Sequence, residues 1–216
     1  MPTSMKKNST YPIRVIIEHL EEELRPWIFL EYRHVSLIFG KENTIYTNIP
    51  NKYHRILNKY GYVYSMSIVD IIKKGIIKPY EVIILDPWAE KELTIHDLDN
   101  IKYVIIGGIL GDHPPRKRTP KLLSSKLPEV EKRNIGEGQY SIDGAAYYVY
   151  YLYKNRTMNN YEYVDGVIIN TVNGYIKLPF RYPVVNGKPL LAPGLIELLT
   201  KGRLPRKILK EIGLTY

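Results

Sequence analysis

Short apolar runs rich in β-branched residues recur along the chain, separated by stretches of helical spacing and by turn-forming residues. Ile13 to Ile17, behind Pro12, reads as a first strand buried on both faces, because the run is apolar throughout. Glu81 to Leu85 reads as a second strand of this kind, stopped by Asp86-Pro87, and Tyr103 to Ile106 as a third. Ile45 to Ile49 is short and β-prone, Glu131 to Ile135 is a short strand, and Trp27 to Phe39 mixes aromatic and aliphatic residues. Helical spacing covers Lys52 to Tyr60 and Ser67 to Lys74, with Gly61 and Gly75 as stops, and predicts a short helix over Thr119 to Lys126. Ser141 is placed to cap a helix that runs to Lys154, with Asp143 favourable in its first turn. Val164 to Asn170 and Tyr175 to Phe180, joined by Val172-Asn173-Gly174, predict a hairpin, since Asn-Gly suits a primed turn. Ala192 to Thr200 and Leu204 to Ile212 read as two closing helices.

Alternating buried strands and helices predict an α/β sheet with helices on its faces. Two turn-rich segments leave strands of that sheet: Gly107-Gly108-Ile109-Leu110-Gly111-Asp112-His113-Pro114-Pro115-Arg116, and Arg133-Asn134-Ile135-Gly136-Glu137-Gly138-Gln139-Tyr140-Ser141. Glycine lets a backbone approach a ligand closely and the prolines fix the chain beyond it, so both loops suit a small ligand such as a cofactor. As bare glycines they are equally consistent with tight turns. The first loop fits neither G-x-G-x-x-G nor the Gly-Lys-Ser/Thr ending of a phosphate-binding loop. Sheets of this class bind ligands at the carboxyl ends of their strands, where Asp86 and both loops fall.

Charge adds a partner to this picture. The chain has 216 residues and a formal charge of +9, enough length for one sizeable core. Positive charge is clustered at Pro114 to Arg133 and at Lys201 to Lys210, which favours a polyanionic partner such as RNA or a ribosomal surface. With no cysteine, disulfide frameworks, thiolate zinc sites and cysteine nucleophiles are excluded. Apolar runs are of strand length and the first residues hold no apolar signal core, so a cytoplasmic protein is expected. Twenty Tyr and only four Met suit a heat-adapted protein.

With these loops in place, the sequence resembles the archaeal and eukaryotic family of SPOUT-class methyltransferases that includes a fungal arginine methyltransferase of a ribosomal protein. The matching residues are Ile17-Glu18-His19-Leu20-Glu21, Trp27 with Leu30-Glu31-Tyr32, Leu85-Asp86-Pro87, Gly107 to Arg116 with Arg118-Thr119, Arg133-Asn134-Ile135-Gly136 with Gln139, and Leu178-Pro179-Phe180-Arg181-Tyr182. The resemblance implies a trefoil-knotted α/β fold with a mainly parallel sheet, helices on both faces, a small β-hairpin and C-terminal helices. It further implies a flexible tail over 1–11 and one domain over 12–216. The knot and the S-adenosyl-L-methionine pocket would occupy about 81–155, and the hairpin and last helices 164–216.

Carried over by position, Leu85, Asp86 and Pro87 should lie beside the cofactor. Gly107, Gly108, Ile109, Leu110 and Gly111 should wrap its methionine and ribose portions. Ile135, Gly136, Gln139, Ser141 and Ile142 should line its adenine side. Arginine at Gly108 or Gly136 is expected to abolish cofactor binding and spare the fold. Methyl transfer from a sulfonium is an in-line displacement that needs positioning and exclusion of water, and no metal. A protonated guanidinium would need carboxylates to hold it, and Glu18, Asp112 and Asp143 are the candidates. His19, Arg116, Arg118 and Arg133 are the candidate substrate contacts. The expected partner is a ribosomal protein or the small ribosomal subunit, with RNA contact through the basic surface and the enzyme a monomer or homodimer. An RNA methyltransferase and a non-catalytic ribosome-binding module are the alternatives.

Overall fold

The computed structural model describes residues 13–111, 114, 116–172 and 174–214. The expected N-terminal tail, the candidate Asp112 and its neighbour His113 lie outside these residues.

Six parallel strands form the main sheet: β1 (Arg14–His19), β2 (Thr44–Thr47), β3 (Tyr62–Val63), β4 (Val82–Leu85), β5 (Tyr103–Gly108) and β6 (Glu131–Arg133), in the order β3-β2-β1-β5-β4-β6. β1 sits centrally, pairing Ile17 with Tyr46 of β2 and with Ile106 of β5. Because strand side chains alternate, Val15, Ile17, Ile83, Leu85, Val104 and Ile106 face one core, and Ile16, Ile84, Val82 and Ile105 face another. Burial on both faces explains why these strands are apolar throughout.

The larger core is covered by α1 (Pro26–Phe39) and α6 (Ile142–Asn155), with α2 (His54–Leu57), α4 (Ile95–Asn100), α7 (Leu195–Lys201) and α8 (Arg206–Ile212) around them. The smaller core is closed by α3 (Ile68–Lys73) and by Leu123, Leu127 and Val130 behind α5 (Arg118–Leu122). α1 starts on Pro26 at its first position and ends at Gly40, whose φ of 85° a side chain would resist. α6 starts on Ser141, whose hydroxyl accepts the Gly144 N–H at 3.2 Å.

β7 (Tyr163–Thr171), β8 (Gly174–Val185) and β9 (Lys188–Pro189) form a separate antiparallel sheet, the expected hairpin with one short strand added. Its inner residues Ile169, Leu178, Phe180 and Tyr182 join the larger core, so hairpin and main sheet are packed as one body.

Candidate functional site

The carboxyl ends of β4, β5 and β6 share one rim, and the segments leaving them enclose a cavity of about 320 Å³. Its wall is built from Leu85 to Trp88, from Ile106, Gly107, Ile109 and Gly111, from Arg116 to Thr119, and from Arg133 to Ile142 with Ala145. The apolar part consists of Leu85, Ile106, Ile109, Ile135, Ile142 and Ala145, while glycines expose backbone between them. A cavity of this size and mixed lining suits a cofactor-sized ligand with a flat heterocycle.

Each loop is held by fixed partners. Asp86 is buried, and its carboxylate accepts the Trp88 N–H at 2.9 Å and the Ser124 hydroxyl at 2.5 Å. That pins the turn after β4 to the segment behind α5. In the loop after β5, Glu21 accepts the Leu110 N–H at 3.0 Å and the Arg118 guanidinium at 2.9 Å, while Arg118 also donates to the Leu110 carbonyl. In the third loop the Gly136 N–H donates to Asn134 Oδ1 at 2.9 Å, with Gly136 at φ +82°. β8 braces the last two loops. A Cβ on Gly111 would lie 2.5 Å from both Gln139 and Phe180, and the Arg181 backbone N–H donates to the Gln139 carbonyl at 2.7 Å. Arg181 also donates to the Glu137 carbonyl, and it holds Asp165 with two bonds of 2.7 Å and stacks 3.9 Å over Tyr163.

Of the residues expected around the cofactor, Leu85, Asp86, Pro87, Gly107, Ile109, Gly111, Ile135, Gly136, Gln139, Ser141 and Ile142 line this single cavity. Gly108 and Leu110 do not. Gly108 instead points into the packing of α1 on β5, where a Cβ would overlap the Tyr32 hydroxyl and come within 2.9 Å of the Glu18 carbonyl. Arginine there would break the packing of α1 on β5, contrary to the expectation that the fold survives. Leu110 has its backbone polar groups taken by Glu21 and Arg118.

The expected carboxylates are placed differently. Glu18, only 1% exposed, accepts the Thr47 and Ser67 hydroxyls at 2.5 Å each and the Ile68 N–H at 2.9 Å, so it joins β1 and β2 to the start of α3. Burial pushes its carboxyl up, and these donors pull it back. Asp143 is equally buried, bound to His34 Nδ1 at 2.7 Å and to the Gly144 N–H at 3.0 Å. Neither lines the cavity. Beside Asp143, Glu31 accepts Trp27 Nε1 at 2.7 Å and the Ile142 N–H at 3.0 Å. Burial first, then the Asp143 charge, raises its carboxyl to about 8.

Among the expected substrate contacts, His19 is buried, with Nδ1 2.9 Å from the Tyr32 hydroxyl, and is absent from the cavity wall. Burial holds its imidazole below the usual histidine value. Arg133 reaches the wall, yet its guanidinium is bound by Asp97 at 2.9 Å and Glu131 at 2.7 Å. Arg118 is committed to Glu21 and Leu110. Arg116 is an exposed wall residue. Wall residues given no role from the sequence include Trp88, half exposed behind Asp86-Pro87, and Glu137, exposed in the third loop. Their place beside the two glycine loops was the signal that could have found them.

Known proteins share this sequence and fold. The sequence signature described as "Protein arginine N-methyltransferase SFM1-like" matches residues 14–204. Protein arginine N-methyltransferase SFM1 of Saccharomyces cerevisiae is 30% identical over 203 residues, which are 88% of this chain and 95% of the yeast protein. The crystal structure of the yeast arginine methyltransferase SFM1 complexed with SAM matches with a TM-score of 0.79 at 28% identity, covering 91% of this chain and 93% of that one. The crystal structure of a dual-specific Trm10 from Thermococcus kodakaraensis matches with a TM-score of 0.52 at 19% identity over 67% of this chain and 94% of its own, a likeness of fold that extends to SPOUT-class enzymes. A signature spanning β1 to the threshold of α8, with a whole-length relative at 30% identity, makes this chain a member of the SFM1-like protein arginine N-methyltransferase family.

Proposed function

We propose that the protein transfers a methyl group from S-adenosyl-L-methionine to an arginine side chain of a ribosomal protein in the cytoplasm. The observation that carries this reading is the family match over residues 14–204, with the cavity at the centre of the matched region. Bound in that cavity, the cofactor would supply an electrophilic methyl on a sulfonium sulfur; transfer to a guanidinium nitrogen would leave S-adenosylhomocysteine and pass one N–H proton to water.

The chain's own residues orient and protect this exchange. Gly107, Gly111 and Gly136 let backbone approach the ligand, while Leu85, Ile135, Ile142 and Ala145 offer an apolar face to the adenine and keep water out. The Glu21–Arg118 pair and the Asp86–Ser124 bond keep two walls in register, so little reorganisation accompanies binding. Glu137 brings a carboxylate to the wall for a cationic substrate. Arg116 and the cations of Lys201 to Lys210 suit rRNA phosphates around a protein substrate presented on the small subunit. The adjacent strand order β5-β4-β6, with the β6–α6 connection at the cavity, supports the trefoil-knotted path of the class.

Labelled methyl transfer from S-adenosylmethionine to unmodified ribosomal subunits tests this. Label recovered as methylarginine after proteolysis is the expected result. Label released by ribonuclease would reassign the enzyme to RNA, and cofactor binding without any transfer to either would remove the proposed substrate.

A further inference from the structure

The half-exposed indole of Trp88 stands on the cavity wall. Its position is built. Asp86 fixes the Trp88 backbone through one carboxylate oxygen and the Ser124 hydroxyl through the other, which ties the indole-bearing turn to the segment that carries Lys117 and α5. Lys117 precedes α5 with φ 52° and ψ 40°, a left-handed conformation that non-glycine residues seldom adopt. Its ammonium lies 4.0 Å from the centre of the Trp88 ring, well inside the distance at which a cation is held by a ring face. Both residues are on the cavity wall, and Trp88 is 51% exposed.

From this we infer that the face of Trp88 is the seat of the substrate guanidinium, held in the free enzyme by Lys117, which the incoming arginine displaces. The inference rests on the arginine reading proposed above. A guanidinium is the stronger occupant because it is planar, stacks on an aromatic face and is less tightly hydrated than an ammonium. Lys117 can leave at little cost, since its flexible stem carries the charge back to water. The neighbouring cations Arg118 and Arg133 are already paired with Glu21, Asp97 and Glu131, and do not compete for the ring. Glu137, exposed on the same wall, offers a carboxylate to the arriving charge.

The chain has two tryptophans, Trp27 and Trp88, so indole N–H resonances of ¹⁵N-labelled protein report on Trp88 directly once a Trp88→Phe sample assigns them. The probe is N-acetyl-arginine methylamide at millimolar concentration, with and without S-adenosylhomocysteine, and N-acetyl-alanine methylamide serves as control. The expected result is a saturable shift of the Trp88 resonance by the arginine probe alone. Lys117→Ala should tighten that binding about threefold, as removal of an exposed cation–ring competitor would. In a Trp88→Ala background, followed through backbone amide resonances, the gain from Lys117→Ala should vanish, whereas relief of simple charge repulsion would persist. Calorimetry should find S-adenosylhomocysteine affinity unchanged in Trp88→Ala. An unmoved Trp88 resonance, a persistent Lys117→Ala gain, or a tenfold loss of S-adenosylhomocysteine affinity would overturn the inference, the last by giving the indole to the cofactor. Saturable arginine binding by an enzyme that yields no methylarginine from ribosomal subunits would uphold the seat and sink the proposed reaction.

Discussion

Gly108 and Gly136 belong to the same pair of glycine-rich strings, yet they answer to different forces. A methyl at Gly108 would overlap the Tyr32 hydroxyl and press on the Glu18 carbonyl, and space could come only by moving α1 away from β5. Gly108→Ala is therefore expected to destabilise the protein by about 3 kcal/mol, read from thermal or urea unfolding. A methyl at Gly136 meets only Glu92, 3.9 Å away, but its φ of +82° strains any side-chain-bearing residue by about 1–2 kcal/mol. Gly136→Ala should therefore weaken S-adenosylmethionine binding about tenfold in calorimetry while lowering stability less than Gly108→Ala does. Equal stability losses and equal cofactor affinities would refute the distinction. The sequence displays the glycines because their chemistry is local. It does not display which of two adjacent glycines in β5 faces the cavity, since that depends on where α1 lies. Glu18 was hidden in the same way: its partners Thr47, Ser67 and Ile68 come from remote segments that only the fold assembles.

At the scale of elements, β8 does more than complete a hairpin. Phe180 packs where Gly111 lacks a side chain, and Arg181 ties the Glu137 and Gln139 carbonyls to Asp165 and Tyr163 of β7. The hairpin therefore holds two cofactor loops at a fixed separation. Arg181→Ala removes the one charge-assisted bond to the Glu137 carbonyl, worth about 1.5–3 kcal/mol, and leaves the backbone bond to Gln139 in place. It should raise the S-adenosylmethionine dissociation constant at least tenfold with the hairpin still folded. Lysine should restore little, because it cannot span Asp165 and Glu137 with one planar fork. Near-normal affinity in Arg181→Ala would show that the loop holds itself. The hairpin was legible from Asn-Gly between two β-prone runs, and the buried strands from their unbroken apolar character. α1 gave no clear period because it is enclosed by the sheet, α6 and the C-terminal helices, which buries residues around most of its circumference. α4 was passed over although its capping box, Thr94 with Asp97, stood in the sequence.

For the molecule as a whole, the contact that decides stability against pH lies where α1 meets α6, the helix that starts at the cavity. Glu31, Asp143 and His34 are buried there together, and the Glu31 carboxyl is raised from 4.5 to about 8 by burial and by Asp143. A raised folded-state value means that the folded protein binds a proton more tightly than the unfolded chain does. The stability gained this way is complete below 4.5 and is lost as pH rises toward about 8. His19 acts with the opposite sign, because burial lowers its value below 6.5, so its contribution is present above 6.5 and fades on acidification. Carboxylates with lowered values, such as the half-buried Glu81 and the exposed Asp165, lose their contribution only in the acid range. The raised Glu18 carboxyl acts with the same sign as Glu31 above 4.5, and Glu31 titrates through the interval from 6.5 to about 8. Unfolding free energy should fall across it by up to about 1.4 kcal/mol per pH unit. Glu31→Gln keeps the shape without the titration, at the fixed cost of turning an amide toward Trp27 or Ile142. Urea unfolding of both proteins across this interval should give a steeper fall for the natural chain than for Glu31→Gln. Two parallel curves would mean that Glu31 is ionised throughout, with the Trp27 and Ile142 donors outweighing its burial.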